Sequence, residues 1–165
     1  MTPAPGQPDA PLSPARRRAL AGALAAMLAP RVVWAADGTP DARALAAFVD
    51  TLLPADALTP AASALGVPEA ITDFAAGVPG LPELIAGGTA WLDQTSGPPF
   101  AELGAADRDR VVAWMEGSDP AQGPYRFYEV IRLLAVEFYY AAPEAVAGLP
   151  LNVAPQPRGY PPPWT

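Results

Sequence analysis

The chain has 165 residues, a net charge of −7, 51% hydrophobic residues, only 16% charged ones and 23 prolines, a length that allows one domain or one domain with tails. It contains no Cys, no His and no Lys, so all ten positive charges are Arg. These absences exclude disulfides, thiolate nucleophiles, iron–sulfur clusters and covalent c-type haem, the usual metal ligand and general base, and the Schiff-base or phosphate-gripping lysine; a pI near 4.4 speaks against nucleic acid, whose backbone needs a basic patch.

The charge is unevenly placed. Arg16, Arg17, Arg18 and Arg31 fall in the first 35 residues against one acid, Asp9, whereas from Ala36 onward six Arg face sixteen acids. Residues 1–35 read as an export signal. A polar, Pro-rich start (1–14) leads into the Arg cluster and then an apolar run, 19–29, with Leu20, Leu24, Met27 and Leu28. The run is shorter than the roughly 20 residues of a membrane span, so no span is expected, and Val33 and Ala35 fit a small-residue cleavage site. The sequence Arg16-Arg17-Arg18-Ala19-Leu20 resembles the twin-arginine consensus of two arginines, any residue, an apolar residue and Leu. It departs at Ala19, where Phe is commonest, and at Ala15, where Ser or Thr often stands. The alternative is a basic start to an Ala-rich core helix, which the helix dipole disfavours. The general secretion route threads unfolded chains, whereas the twin-arginine route carries folded ones. A chain without cofactor ligands seldom needs to fold before export; a cofactor-bearing partner would.

Short helices punctuated by Pro and Gly follow. Thr39-Pro40-Asp41 supplies an N-cap, a Pro at the first helical position and an acid in the first turn. Leu45, Phe48, Val49, Leu52 and Leu53 then recur at helical spacing, and Pro54 ends the run. Thr59-Pro60 repeats the start signal for a brief helix that Gly66 ends. A helix over 68–76 carries Ile71 and Phe74 and stops at Gly77. Leu81-Pro82 opens another, with Leu84, Ile85, Trp91 and Leu92, in which Gly87-Gly88 is a candidate break or bend. A helix over 107–116 carries Val111, Val112, Trp114 and Met115. The longest helix is expected over 125–141, with Phe127, Tyr128, Ile131, Leu134, Ala135 and Phe138 in a wide stripe that Tyr139 and Tyr140 extend to another face. A helix apolar on more than one side is either central or packed on a partner. A short helix over 143–147 leads to residues 148–165, which hold six prolines and no periodicity, an extended tail. No alternating run or hairpin signal appears. The expected fold is all-α: an export signal at 1–35, a compact bundle of short helices around one longer central helix at 36–147, and a Pro-rich tail at 148–165.

The charged clusters read mainly as solvated surface. Asp107, Arg108, Asp109, Arg110 and Glu116 alternate in sign along one helix. Asp50, Asp56, Glu69 and Asp73 sit near helix ends, where acids suit the dipole. Glu129 and Arg132 form an expected i, i+3 pair. The glycines make no Gly-x-Gly-x-x-Gly fingerprint after a strand. The aromatics Phe127, Tyr128, Phe138, Tyr139 and Tyr140 read first as core and second as an interface. The tail, with Arg158, Tyr160 and Trp164 within seven residues, carries the three residue types enriched at interface hot spots, on a chain that Pro pre-extends.

These residues resemble the gluconate 2-dehydrogenase subunit 3 family. The first matching stretch is 48–71, with an apolar helix, the Leu53-Pro54-Ala55-Asp56 turn, Thr59-Pro60 and Gly66-Val67. The second is 127–144, an aromatic helix ending Phe138-Tyr139-Tyr140-Ala141-Ala142-Pro143-Glu144. The third is Pro155-Gln156-Pro157-Arg158-Gly159-Tyr160-Pro161. None of these motifs is catalytic; the match rests on order and spacing, and the segment between Trp91 and Gln122 fits loosely.

The resemblance implies a non-catalytic small subunit with no cofactor of its own. Its partner would be a large flavoprotein of the glucose–methanol–choline type, which binds FAD and oxidises a sugar, polyol or sugar acid. A c-type cytochrome carrying haem often takes the electrons onward. The small subunit bears the twin-arginine signal (Arg16, Arg17, Leu20), meets the translocase, assists folding of the large subunit and exports it, which gives a periplasmic location, membrane-associated where the partner subunits are. The expected partner surface comprises Phe138, Tyr139, Tyr140, Arg158, Tyr160 and Trp164. Two other readings compete. One is a stand-alone periplasmic helical module whose aromatics line a small-molecule pocket; the other is an enzyme working with carboxylates alone, for which short helices offer no obvious rigid cleft.

Overall fold

A computed structural model describes residues 38–94 and 97–147. The signal at 1–35 and the tail at 148–165 lie outside the described residues. Within them the chain is helical, with no strand. Six α-helices follow in order: α1 Ala42–Leu52, α2 Val67–Ala75, α3 Leu81–Gln94, α4 Ala105–Glu116, α5 Gly123–Tyr139 and α6 Glu144–Ala147, with 3₁₀ turns at Ser63–Leu65 and Phe100–Glu102. No described helix is long and apolar enough to cross a membrane.

The longest helix, α5, is the axis of the domain. It packs against α1, α2, α3 and α4, and buries Phe127, Ile131, Leu134 and Ala135. The core centres on three rings. Phe48 of α1 lies 4.9 Å from Phe127 of α5 and 6.2 Å from Phe100, tilted arrangements of the kind aromatic pairs favour. All three rings are fully buried.

The helix starts correct the sequence reading in two places. The first cap is Asp41 rather than Thr39: its carboxylate accepts from the backbone N–H of Arg43 at 2.8 Å and of Ala44 at 2.9 Å. An N-cap carboxylate satisfies donors the first turn leaves unpaired, and Asp41 is further fixed because its own N–H donates to the buried Thr89 Oγ1 of α3 at 3.1 Å. Thr59-Pro60 starts no helix. The Thr59 hydroxyl is turned to Asp56, and only one 3₁₀ turn forms before Gly66, whose φ of 71° closes it; that left-handed conformation suits glycine.

The glycine pair is the largest difference. Gly87 and Gly88 do not break α3, which runs on through them. They are buried, and a Cβ on Gly88 would stand 1.9 Å from Phe127 Cδ2. The missing side chain lets α3 approach the ring of α5, the close-approach use of glycine. The Phe100–Glu102 turn was not legible as an element. It is held by Phe100 N–H donating to Asp93 Oδ1 at 2.9 Å. On α5, Glu129 pairs with Arg126 at 3.3 Å rather than with Arg132.

Tyr128 and Glu116 join α5 to α4: the Tyr128 hydroxyl donates to Glu116 Oε1 at 2.9 Å. Burial, and then the hydrogen bond to the Glu116 carboxylate and its charge, hold the phenol pKa above its ordinary value. A raised pKa in the folded state means that the neutral phenol is favoured there. This contribution is complete below the ordinary tyrosine pKa of about 10 and is lost as pH rises through the raised value. The expected result is a melting temperature that falls more steeply above pH 10 for the native chain than for Tyr128→Phe, read by circular dichroism; parallel alkaline curves would refute it.

Candidate partner interface

The two described stretches that carry the family resemblance meet at one end of the bundle. The 53–59 turn is organised by Asp56. Its Oδ1 accepts from Leu58 N–H and Thr59 N–H, both at 2.7 Å, and from the Thr59 hydroxyl at 3.1 Å. These donors, that of Leu58 first, hold the Asp56 carboxyl below the ordinary carboxylate range although it is fully exposed. Such an Asx turn fixes a loop without any core of its own, and it presents Leu58, 58% exposed, to the outside. The next few residues are clamped from both sides. Asp50 of α1 accepts from Ser63 N–H at 2.7 Å and Ser63 Oγ at 2.6 Å. Tyr139 at the end of α5 donates through its hydroxyl to Pro60 O at 2.8 Å. Between the turn and the helix end lies a cleft of about 260 Å³ lined by Leu53, Pro54, Asp56, Tyr139 and Tyr140.

From this cleft an apolar stripe runs back along α5. Leu133 is 41% exposed, Val136 40% and Tyr140 54%. At about 100° per residue these three fall on one arc, opposite Ile131 and away from the helices that α5 packs against. Large apolar side chains in i, i+3, i+7 register on a solvent face are the pattern by which a helix docks in a partner's groove.

The sequence-predicted residues divide. Tyr140 is exposed and belongs to this surface. Tyr139 is a core residue, 3% exposed, because one position along a helix turns a side chain by about 100°, and this places it over Pro60; its contribution to the surface is to hold the turn in place. Phe138 is half-buried, edge-on to Phe74 of α2 at 5.8 Å, so it packs inward. Phe127 and Tyr128 are likewise buried. Arg16, Arg17, Leu20, Arg158, Tyr160 and Trp164 lie outside the described residues. Of the charged clusters, Arg110 pairs with Asp107 on the surface of α4.

A second surface lies where α3 meets α4. The indoles of Trp91 and Trp114 stack with centroids 5.5 Å apart and planes 17° from parallel. They line a groove of about 700 Å³, walled also by Pro98, Leu103, Asp107 and Val111. Trp114 is 55% exposed.

Among known proteins, the sequence profile of the gluconate 2-dehydrogenase subunit 3 family matches residues 39–154. The chain belongs to this family. The match runs from the residue before Pro40 into the start of the tail, and so takes in the turn, the stripe and the aromatic groove. This subunit 3 family is named for one subunit of a dehydrogenase complex. No curated protein and no solved structure matches the chain. Sequence reasoning missed Leu133 and Val136 as surface residues of this subunit 3 chain. The signal present was that α5 is apolar on more than one side.

Proposed function

We propose that this chain is the non-catalytic small subunit of an exported, FAD-dependent sugar, polyol or sugar-acid dehydrogenase. It assists the folding of a large flavoprotein of the glucose–methanol–choline type and carries it through the twin-arginine route into the periplasm. A c-type cytochrome subunit completes the electron path where one is present. The observation that carries this reading is the surface built from the 53–59 turn, Tyr140 and the outer face of α5. Two stretches that set the family resemblance are tied together there by the Tyr139–Pro60 hydrogen bond and leave their large apolar side chains unpaired. A helix that is core on one arc and apolar on the opposite one has a second surface to cover.

Arg16 and Arg17 supply the export half. Changing both to Lys, which keeps the charge and removes the arginine pair, is expected to leave both this chain and its flavoprotein partner in the cytoplasm. Dye-linked dehydrogenase activity in the periplasmic fraction is the readout, with Arg18→Lys added as a third change because Arg17-Arg18 offers a shifted pair. Undiminished periplasmic activity in the triple variant would sink the export reading while leaving the docking surface to be tested by itself.

A further inference from the structure

We propose that the Trp91–Trp114 groove is the receptor for the chain's own C-terminal segment, with residues 155–164 lying in it as an extended, polyproline-type strand. Four observations lead there. The first is the groove itself. Two near-parallel indoles, one of them more than half exposed, stand beside Pro98, Leu103 and Val111 in a space of about 700 Å³. Aromatic-lined grooves of this kind recognise polyproline segments, because proline rings pack on ring faces and the extended backbone keeps its own hydration. Among the described lining residues the two charged side chains, Asp107 and Arg110, pair with each other.

The second observation is the sequence that follows the described fold. Residues 148–165 hold six prolines, three of them consecutive at Pro161-Pro162-Pro163, flanked by Tyr160 and Trp164. The third is reach. The segment starts directly after α6 ends at Ala147. Seven residues, 148–154, precede the docked stretch and at about 3.1 Å each span roughly 22 Å, more than half of the roughly 35 Å across a globule of this size. The fourth is charge. Residues 38–147 carry five Arg and fifteen acids, whereas residues 148–165 carry one Arg, Arg158, and no acid. Arg110 is largely exposed and Asp107 about half exposed, so Asp107 exchanges partners with Arg158 at little cost. Tethering adds to all four, since a short flexible link holds the segment at about millimolar effective concentration. The tail's hot-spot residue types also suit the flavoprotein's surface, but the groove is a receptor on the same chain.

The test uses the purified full-length chain without partner subunits, so its outcome is independent of the export and docking reading. Nitrogen-15 NMR follows the indole N–H signals of Trp91 and Trp114. In the variant Arg158→Ala/Pro161→Ala/Pro162→Ala/Pro163→Ala both signals are expected to shift away from their native positions. A synthetic peptide of residues 150–165, added at about the millimolar effective concentration of the tether, is expected to bring them back. In Trp114→Ala the peptide moves nothing, and the tail's own amide signals shift to random-coil positions. Native indole positions unaffected by the quadruple change overturn the proposal. So do shifts that vanish on dilution, which would assign the groove to the tail of a second copy, and a tail whose signals move only when the flavoprotein is added.

Discussion

Gly88→Ala is expected to destabilise the domain by about 3 kcal/mol or more, the reverse of what helix propensity predicts. In an ordinary exposed helix interior, Gly→Ala stabilises by about 0.5–1 kcal/mol. Here the new Cβ would stand 1.9 Å from Phe127 Cδ2 and 2.4 Å from both Cε2 and Cγ, far inside van der Waals contact. Phe127 has nowhere to go: it is fully buried, and its ring lies 4.9 Å from that of Phe48. Either α3 lifts away from α5 or the ring leaves its site. Overpacking of this kind costs about 1–3 kcal/mol, and loss of a buried Phe about 3–5 kcal/mol. Against a typical total of about 5–15 kcal/mol, the loss takes roughly a fifth or more of the domain's stability. The check is the urea midpoint of Gly88→Ala beside that of Gly88→Ala/Phe127→Leu. The second change shortens the clashing side chain and is expected to recover part of the loss. A single variant as stable as the native chain would show that the α3–α5 approach is looser than 1.9 Å implies.

That glycine marks where the sequence ran out. Its pattern reads as a break because Gly-Gly weakens a helix in isolation; only the neighbouring ring, 39 positions along the chain, turns it into a packing requirement. The helices themselves were legible, since Pro and Gly bound nearly every one and the apolar residues recur at helical spacing. The boundaries shifted where a side chain had two possible uses. Thr39 and Asp41 are both capping types, and the contact with Thr89 selected Asp41. Thr59 caps nothing because Asp56 captures its hydroxyl. The Phe100 turn depends on Asp93, seven residues earlier, a pairing no local pattern encodes. The proposed interface was half legible for the same kind of reason. Spacing places Tyr139 and Tyr140 on neighbouring arcs of α5, but which arc meets α1–α4 is decided by their packing. Leu133 and Val136 were not singled out, because spacing alone does not say that Ile131 and Leu134 fill the core side and leave them on the other.

Replacing Leu133, Val136 and Tyr140 together by Gln is expected to leave the small subunit folded and weaken its hold on the flavoprotein by about 150-fold. Gln keeps the helix, being a better helix former than Val, and leaves the net charge unaltered. Substitutions on exposed positions usually change stability by no more than about 0.5 kcal/mol each. The side chains are 40–54% exposed, so a partner can bury only about half of each. At about 1.5–3 kcal/mol for complete burial of a large apolar side chain, the three forfeit roughly 3 kcal/mol, which is about 150-fold in dissociation constant. Ala113→Gln, an exposed apolar position on α4 away from this stripe, is the control and is expected to leave affinity within a few-fold. The measurements are co-purification of the flavoprotein with the tagged small subunit, titration of the two purified chains, and the melting temperature of the small subunit alone. Native affinity in the triple variant would remove the α5 stripe from the interface. A triple variant that melts early would instead place Leu133 and Val136 in the domain's own stability, against the exposure on which the docking surface rests.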